Sequence, residues 1–384
     1  MINVTEVDFS DIIAGRPKEV GLEVLAAVCG GVRDRELTYV DVSENAMGPD
    51  GVKACRPALV GKKGLRALFM CNDGLSEAAM EAVRDILLTD TPTALTTLHF
   101  YNNMSGDGGA KALAEVLPHC PELADFRFSG TRSGRAGSAA VVEALLECPA
   151  ASAGLFERLD LADNTLGEKG GSTLAQALSN QPNLTYINLR DCALEDEGAT
   201  AVAEALSKTS PHLREMDFSA NDLTAEGATA VANCAGGKTF LEYLGLEEQT
   251  IGSAGAKAAT KALAHTPAIR KVQLNQNEIG TSGALAVARS LQKQKNLECL
   301  ELNGNGLSEG GLVRLNRILE SAGKLRVLGE MDENDEDLAE DDDDDEGGEL
   351  FLEDEQAEAG GGEGPEKQDG DVDELTAAMS GVKV

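Results

Sequence analysis

The side chains that most often carry chemistry are present in this sequence, but their spacing does not fit a catalytic or metal site. Eight cysteines lie singly along the chain, without the C-x-x-C spacing of a zinc or redox motif. The histidines, His99, His119, His212 and His265, are far apart and accompany no obvious nucleophile. Neither a G-x-x-x-x-G-K-[ST] loop nor a G-x-G-x-x-G loop after a strand is present. The sequence therefore predicts no active site, cofactor site or nucleotide site of its own.

Charge is concentrated at the C-terminal end of the 384-residue chain, which has 33 Lys and Arg against 66 Asp and Glu. Residues 330–384 contain 24 acids and two lysines, so they carry −22 of the net −33, and residues 1–329 carry −11. Nucleic acids and anionic membranes require a basic face, so neither is expected as a partner. No run of eighteen apolar residues is present, so we expect no membrane insertion. We interpret 330–384 as an acidic, disordered tail.

A repeated string organises the rest of the chain. The pattern L-x-x-L-x-L-x-x-N recurs in ten full copies after one degenerate copy, and a partial twelfth copy precedes the acidic run. The copies occupy residues 4–12, 37–45, 65–73, 95–103, 123–131, 156–164, 184–192, 213–221, 241–249, 269–277 and 297–305. Their ninth positions are separated by 28 to 33 residues. A period of about 28 residues predicts a stack of identical units rather than one globular core.

Each unit has a simple physical interpretation. Positions 4 and 6 point the same way on a short strand and enter the core. The ninth side chain, usually Asn, bonds backbone groups where the chain leaves the strand. A glycine-containing turn such as LGEKGG (166–171) then precedes an Ala- and Leu-rich helix such as STLAQALSN (172–180). We predict an α/β leucine-rich-repeat solenoid over 1–329, a ribonuclease-inhibitor-like crescent of about eleven strand–turn–helix repeats with its strands on the concave side.

Polar side chains are expected along one edge of this crescent, where the strands end. Asn72 is the eighth residue of its copy, so it is not needed for the backbone bonds that the ninth side chains make. Asn103 is a ninth residue and is expected to be structural. Such an edge is usually solvated, but it is also where a protein partner would bind. The candidates on this edge are Glu44, Asn72, Asp73, Asn102, Asp163 and Asp191, with Tyr101 and Arg127 on the outward strand face.

Several motifs together resemble the Ran GTPase-activating protein family, most closely its plant and algal members. They are FSDI followed by a GR pair (9–16), MCNDG (70–74) and FYNNMSGDGG (100–109), together with the 28-residue repeat and the acidic tail. The amino-terminal targeting domain of the plant members is absent, as are the repeats that usually precede FSDI. The first copy begins almost at Met1, so we expect either that an N-terminal part is missing or that this copy caps itself.

The resemblance implies a mechanism. Members of this family are understood to hold the GTPase's own catalytic Gln in place through an Asn on a repeat loop, without an arginine finger. That Asn corresponds to Asn72, and the family's loop arginine and lysine correspond to Arg16 and Lys18. Asp11 lies in the FSDI motif and is also expected to contact the partner. The chain would then be an activator rather than an enzyme and would need no cofactor, since GTP and Mg²⁺ belong to the GTPase.

The resemblance also implies a biological setting. The expected partner is GTP-bound Ran, together with a Ran-binding protein, and the chain is expected to be a monomer that acts in nucleocytoplasmic transport. We expect a cytoplasmic protein that would reach the outer nuclear envelope through a part missing from this chain. The alternative is a non-catalytic leucine-rich-repeat scaffold or inhibitor of a protein partner. A ribonuclease-inhibitor-type protein would be denser in cysteine than this sequence, but a regulatory repeat protein without activity stays open.

Overall fold

The computed structural model describes residues 4–89, 91 and 93–334. The strands are β1 Glu6–Asp8, β2 Tyr39–Asp41, β3 Ala67–Phe69, β4 Thr97–His99, β5 Asp125–Arg127, β6 Arg158–Asp160, β7 Tyr186–Asn188, β8 Glu215–Asp217, β9 Tyr243–Gly245, β10 Lys271–Gln273 and β11 Cys299–Glu301. The helices are α1 Lys18–Gly31, α2 Gly48–Leu59, α3 Glu77–Leu87, α4 Gly106–Ala114, α5 Arg135–Glu147, α6 Pro149–Ser152, α7 Gly167–Ala177, α8 Glu195–Thr209, α9 Ala225–Gly236, α10 Gly252–Leu263, α11 Gly280–Leu291 and α12 Glu309–Ser321. None of the described helices is long and apolar enough to cross a membrane.

The eleven strands in the described residues form one open parallel sheet in chain order. The third, fourth and fifth residues of each copy pair with the same positions of the next, from Glu6 opposite Tyr39 to Lys271 opposite Cys299. Neighbouring strands lie about 4.8 Å apart and packed helices about 8–10 Å apart, so the sheet must curve with its strands on the inner side. The predicted solenoid and its register are confirmed.

The core lies between the sheet and the helix layer. The first, fourth and sixth residues of each copy point into it, as shown by Leu37, Val40 and Val42, which are fully buried. The helices supply the opposite wall, for example through Val52 and Cys55 of α2. Each repeat therefore buries its apolar residues against its neighbours, which fixes the spacing of the loops at the strand ends.

The ninth residue joins neighbouring repeats as predicted. Oδ1 of Asn103 accepts hydrogen bonds from the backbone N–H groups of Asp73 (3.1 Å) and Leu75 (3.0 Å). Its Nδ2 donates to the carbonyls of Met70 (2.8 Å) and Phe100 (2.9 Å). One buried amide thus satisfies backbone groups of two repeats, and this ladder holds the strand ends in register.

The glycine-containing segment after the ladder differs from the prediction. LGEKGG was expected as a turn, but Gly167 to Gly171 form the first turns of α7. Helix packing explains the composition, because a Cβ on Gly171 would lie 2.8 Å from the Cα of Gly198 in α8. The glycines here allow two helices to approach closely rather than breaking the helix.

The repeat pattern continues slightly past the predicted boundary at 329. Leu328 forms a bridge with Leu300 of β11, and Oδ1 of Asn334 accepts hydrogen bonds from the backbone N–H groups of Asn305 (3.0 Å) and Leu307 (3.3 Å). Asn334 therefore takes the ladder role for the last repeat. Residues 335–384 of the predicted tail lie outside the described residues, and their disorder stays a prediction.

Candidate functional site

The eighth residues of the copies form one row along the strand ends, here called the rim row. It contains Asp11, Glu44, Asn72, Asn102, Gly130, Asp163, Asp191, Ala220, Glu248, Gln276 and Gly304, all with φ between 51° and 65°. From Asp11 to Gln276, the backbone N–H of each reaches the next repeat, as in the bonds from Asn72 to the Tyr101 carbonyl (3.0 Å) and from Asn102 to the Ser129 carbonyl (2.8 Å). The row is therefore a rigid edge that presents side chains at regular intervals.

This backbone conformation is a feature that sequence reasoning missed. A left-handed φ favours Asn, Asp and Gly over other residues. Those three types occupy seven of the eleven rim-row positions, so the composition of the eighth position could have revealed it. An Asn at position 72 is consequently explained in part by its backbone, and its presence alone does not indicate a function.

The side-chain amide of Asn72 is held from both sides. Nδ2 of Asn102 donates to Oδ1 of Asn72 over 2.9 Å, and Nδ2 of Asn72 donates to the carboxylate of Glu44. All three side chains are exposed. Three of the candidates from the sequence therefore form one hydrogen-bonded chain across repeats two to four.

Arg16 lies in the exposed loop between β1 and α1. Its Nε donates to the Ile12 carbonyl over 3.1 Å, and the preceding Gly15 takes a left-handed φ of 73°. Nζ of Lys18, at the start of α1, contacts Asp50 of α2 at 2.8 Å, and this carboxylate raises the pKa of Lys18. An exposed ion pair thus joins the start of α1 to the second repeat.

A cavity of about 430 Å³ brings this loop close to the third repeat. Its lining includes Arg16 and Lys18 from the first repeat, Asn45 and Asp50 from the second, and Gly74, which follows the ladder residue of the third. The Arg16 loop and the Asn72 loop therefore border the same region at one end of the rim row.

Asp73 does not belong to the exposed rim, which corrects its assignment as a partner contact. Its side chain is fully buried because it occupies the ninth position of its copy, where the ladder residue points inward. Oδ1 accepts the backbone N–H of Asn45 at 2.8 Å, and Oδ2 has no hydrogen-bond partner among the described residues. Burial raises the pKa of this carboxyl to about 8.

Tyr101 and Arg127 lie together on the strand face. The guanidinium of Arg127 stacks 4.1 Å from the centre of the Tyr101 ring, and its Nε contacts Oδ2 of Asp160 at 2.7 Å. Beside them, the ring of His99 meets the edge of Phe69 and bonds Asp125 at 2.9 Å. Arg127 is therefore held in a fixed geometry instead of extending freely toward a partner.

The remaining predicted candidates are exposed members of the rim row at greater distances. Asp11 lies two strands from Asn72, and Asp163 and Asp191 lie three and four strands away on the other side. At about 4.8 Å a strand, these separations are about 10, 14 and 19 Å. Partial burial and the charge of Asp191 raise the pKa of Asp163, although Arg190 opposes this. They can flank a protein partner but do not touch Asn72.

The family comparison agrees with the strand-by-strand architecture. A model described as "Leucine Rich repeat" matches residues 35–54, 156–175, 180–203 and 209–232. The chain is a leucine-rich-repeat solenoid. The four matched segments correspond to repeats two, six, seven and eight, each beginning two to six residues before its strand.

Proteins with similar sequences carry different names. The chain is 26% identical over 56% of its length to human (Homo sapiens) "NACHT, LRR and PYD domains-containing protein 14", covering 20% of that protein. It is 36% identical over 31% of its length to "RAN GTPase-activating protein 2" of Arabidopsis thaliana, covering 22%. It is 26% identical over 52% of its length to "Ran GTPase-activating protein" of Drosophila melanogaster, covering 36%. The chain thus spans about a fifth to a third of these relatives.

Proposed function

We propose that this chain is a GTPase-activating protein for a small GTPase of the Ran class and has no active site of its own. The observation that carries the proposal is the exposed Asn72 amide, held in one orientation on the rim row beside the Arg16 loop. Relatives named as Ran GTPase-activating proteins support it, as do the motifs at 9–16 and 70–74.

In this proposal the chemistry takes place in the partner. A small GTPase hydrolyses GTP slowly when its catalytic Gln does not orient the attacking water. The Asn72 amide would bond the amide of that Gln and hold it over the water, which lowers the entropy cost of reaching the transition state. GTP and Mg²⁺ would stay in the GTPase, so the chain supplies positioning without a cofactor.

Arg16 would help to dock the partner instead of entering its nucleotide pocket. Its Nε is bonded to the Ile12 carbonyl, and Lys18 is paired with Asp50, so both cations belong to a fixed surface. The exposed acids Asp11, Asp163 and Asp191 would contact a basic surface on either side, and the net negative charge would speed its approach. Tyr101 with Arg127 would contact it from the strand face.

The biological setting belongs to the same proposal. The partner would be the GTP-bound state of the GTPase, with a Ran-binding protein as a further member of the complex. The chain would act as a monomer in the cytoplasm and serve nucleocytoplasmic transport.

A second candidate is a binding scaffold or inhibitor without GTPase activation. The left-handed φ of the rim row favours it, because that conformation accounts for an Asn at position 72 without any function. Single-turnover hydrolysis of GTP preloaded on Ran separates the two. A substoichiometric amount of the full chain should convert all the GTP far faster than the intrinsic rate. Binding to Ran without faster hydrolysis would indicate the scaffold instead.

A further inference from the structure

We infer that Glu44 and Asn102 are positioning residues that act through Asn72, setting which way its side-chain amide faces. The inference rests on the proposed function, which it deepens. The three side chains come from consecutive repeats and form one chain, Asn102 to Asn72 to Glu44, along the exposed rim row. The backbone beneath is held by bonds from Asn72 to the Tyr101 carbonyl and from Glu44 to the Cys71 carbonyl.

The carboxylate of Glu44 determines which atoms donate and which accept in this series of hydrogen-bonded side chains. An ionised carboxylate can only accept hydrogen bonds, so the atom of Asn72 that faces it must be Nδ2. Oδ1 of Asn72 then faces the other neighbour, and Asn102 must present its own Nδ2 to it. One charge in the second repeat therefore determines the orientation of amides in the third and the fourth, with no contribution from a partner.

The two side-chain hydrogen bonds leave Asn72 with the free donor and acceptor that a partner amide needs. Its Nδ2 has two N–H groups and its Oδ1 has two lone pairs, and the bonds with Glu44 and Asn102 use one of each. Glu44 follows β2 and Asn102 follows β4, and these strands lie on opposite sides of β3. The two bonds thus hold the amide from both flanks and leave one donor and one acceptor for a Gln side chain, already oriented.

Preorganisation of this kind would appear in the rate at saturation more than in affinity. If the Asn72 amide rotated freely, half of its orientations would present the wrong atom to the Gln, and ordering it would cost free energy in the transition state. A variant that only loosens the amide should still bind the GTPase. A residue that contacts the GTPase directly should change the concentration needed for half-maximal stimulation.

The test uses isosteric variants of the full chain in single-turnover hydrolysis with GTP-loaded Ran. Glu44→Gln keeps the size of the side chain but can donate as well as accept, so it no longer determines which atom of the Asn72 amide faces it. Asn102→Asp places a second acceptor opposite Oδ1. The control is Glu248→Gln, which removes the same charge from a rim-row glutamate that instead pairs with Arg190. We expect saturating rates on the order of tenfold lower for both test variants, with half-saturation unchanged, and no effect of the control.

A second measurement on the free chain does not depend on the GTPase. The two Nδ2 protons of Asn72, assigned by comparison with Asn72→Ala in asparagine-labelled protein, should have distinct NMR shifts that change in Glu44→Gln and not in Glu248→Gln. Unchanged shifts would overturn the inference. A wild-type saturating rate in Glu44→Gln, when Asn72→Ala is slow, would also overturn it. So would a Glu44→Gln variant that changes only the half-saturating concentration. Both of these results leave the proposed function intact. A wild-type chain that binds Ran without accelerating hydrolysis would overturn both.

Discussion

The backbone N–H of Asn45 donates to Oδ1 of Asp73 over 2.8 Å, while Oδ2 of the same buried carboxyl has no hydrogen-bond partner in the part of the chain that the structure describes. In the neighbouring repeats the equivalent atom is an amide nitrogen. Nδ2 of Asn45 donates to the carbonyls of Phe9 (2.9 Å) and Val42 (2.7 Å). An ionised carboxylate cannot donate such bonds, whereas a protonated Asp73 has one O–H to donate and carries no buried charge.

This arrangement predicts that Asp73 destabilises the solenoid as pH rises. Burial raises the pKa of the folded carboxyl from 3.8 to about 8, so the folded state binds the proton more tightly than the unfolded state. The contribution of the protonated group to stability is therefore complete below about pH 4 and is lost as pH rises through 8. Asp73→Asn should remove this dependence and stabilise the protein at pH 8–9 by about 1–3 kcal/mol.

Thermal unfolding of wild type and Asp73→Asn between pH 5 and 9 tests this prediction. The melting temperatures should converge at low pH and separate at high pH. Asp34→Asn is the matched control, because it makes the same substitution at an exposed acid. A wild-type melting temperature that rises between pH 6 and 9 relative to Asp73→Asn would show that the carboxyl is ionised and satisfied in the fold.

A second prediction concerns the close approach of α7 and α8. A Cβ on Gly171 would lie 2.8 Å from Cα of Gly198, where only backbone atoms are present to give way. Gly171→Ala should therefore push the helices apart and destabilise the protein by about 1–3 kcal/mol. A Cβ on Gly30 in α1 would meet no described atom within 4 Å, so Gly30→Ala should be neutral or slightly stabilising. Denaturant unfolding midpoints of the two variants measure the difference, and equal midpoints would contradict the packing argument.

Much of the fold follows from the sequence, because a period near 28 residues with two inward strand positions has only one way to bury its apolar face. The register of all eleven strands and the ladder role of Asn103 were predictable for this reason. The eighth and ninth positions were harder to interpret. The burial of Asp73 follows from its ninth position. Its Oδ2 is left without a bond to any described residue because it stands where an Asn side chain would have the nitrogen that donates to carbonyl groups.

The hydrogen-bonded chain through Asn72 was not predictable from the pattern. It depends on the side-chain conformations of three residues about 30 positions apart, Glu44, Asn72 and Asn102, and the repeat fixes only their backbone positions. The left-handed φ of the rim row left a compositional trace, since Asn, Asp and Gly are frequent there. Only the coordinates separate the residues that bond to one another from those that merely share the row.

A third prediction distinguishes two truncations near the C-terminal end. Asn334 accepts the backbone N–H groups of Asn305 and Leu307, so deleting 330–384 leaves both buried donors unpaired, whereas deleting 335–384 keeps the bonds. The longer deletion should lower the melting temperature, in keeping with about 1–3 kcal/mol for each unsatisfied group. The shorter deletion should leave it nearly unchanged, and thermal unfolding compares them. Identical melting temperatures would show that Asn334 does not stabilise the last repeat.

The shorter truncation also tests a role for charge. Residues 335–384 contain 21 acids and two lysines. If they steer a basic GTPase surface, their removal should slow association in stopped-flow measurements at low salt. The difference should vanish near 1 M salt, where the Debye length is about 3 Å. An association rate that the deletion leaves unchanged at low salt would rule out steering by this segment.

The last prediction separates the roles of Asn72 and Arg16. Asn72 presents an oriented amide on the exposed rim, so Asn72→Ala should lower the saturating rate of stimulated GTP hydrolysis by about 10²–10³ while Ran still binds, as expected for loss of one preorganised polar contact. Arg16 is an exposed loop residue whose Nε is bonded to the Ile12 carbonyl, so Arg16→Ala should raise the half-saturating concentration and recover the rate when the chain is in excess. Single-turnover hydrolysis at rising concentrations of each variant gives both quantities. A full rate in Asn72→Ala at saturation, with no recovery in Arg16→Ala, would instead mean that Arg16 enters the nucleotide pocket as an arginine finger. Such a residue acts on the transition state, so forming more of the complex cannot compensate for its loss.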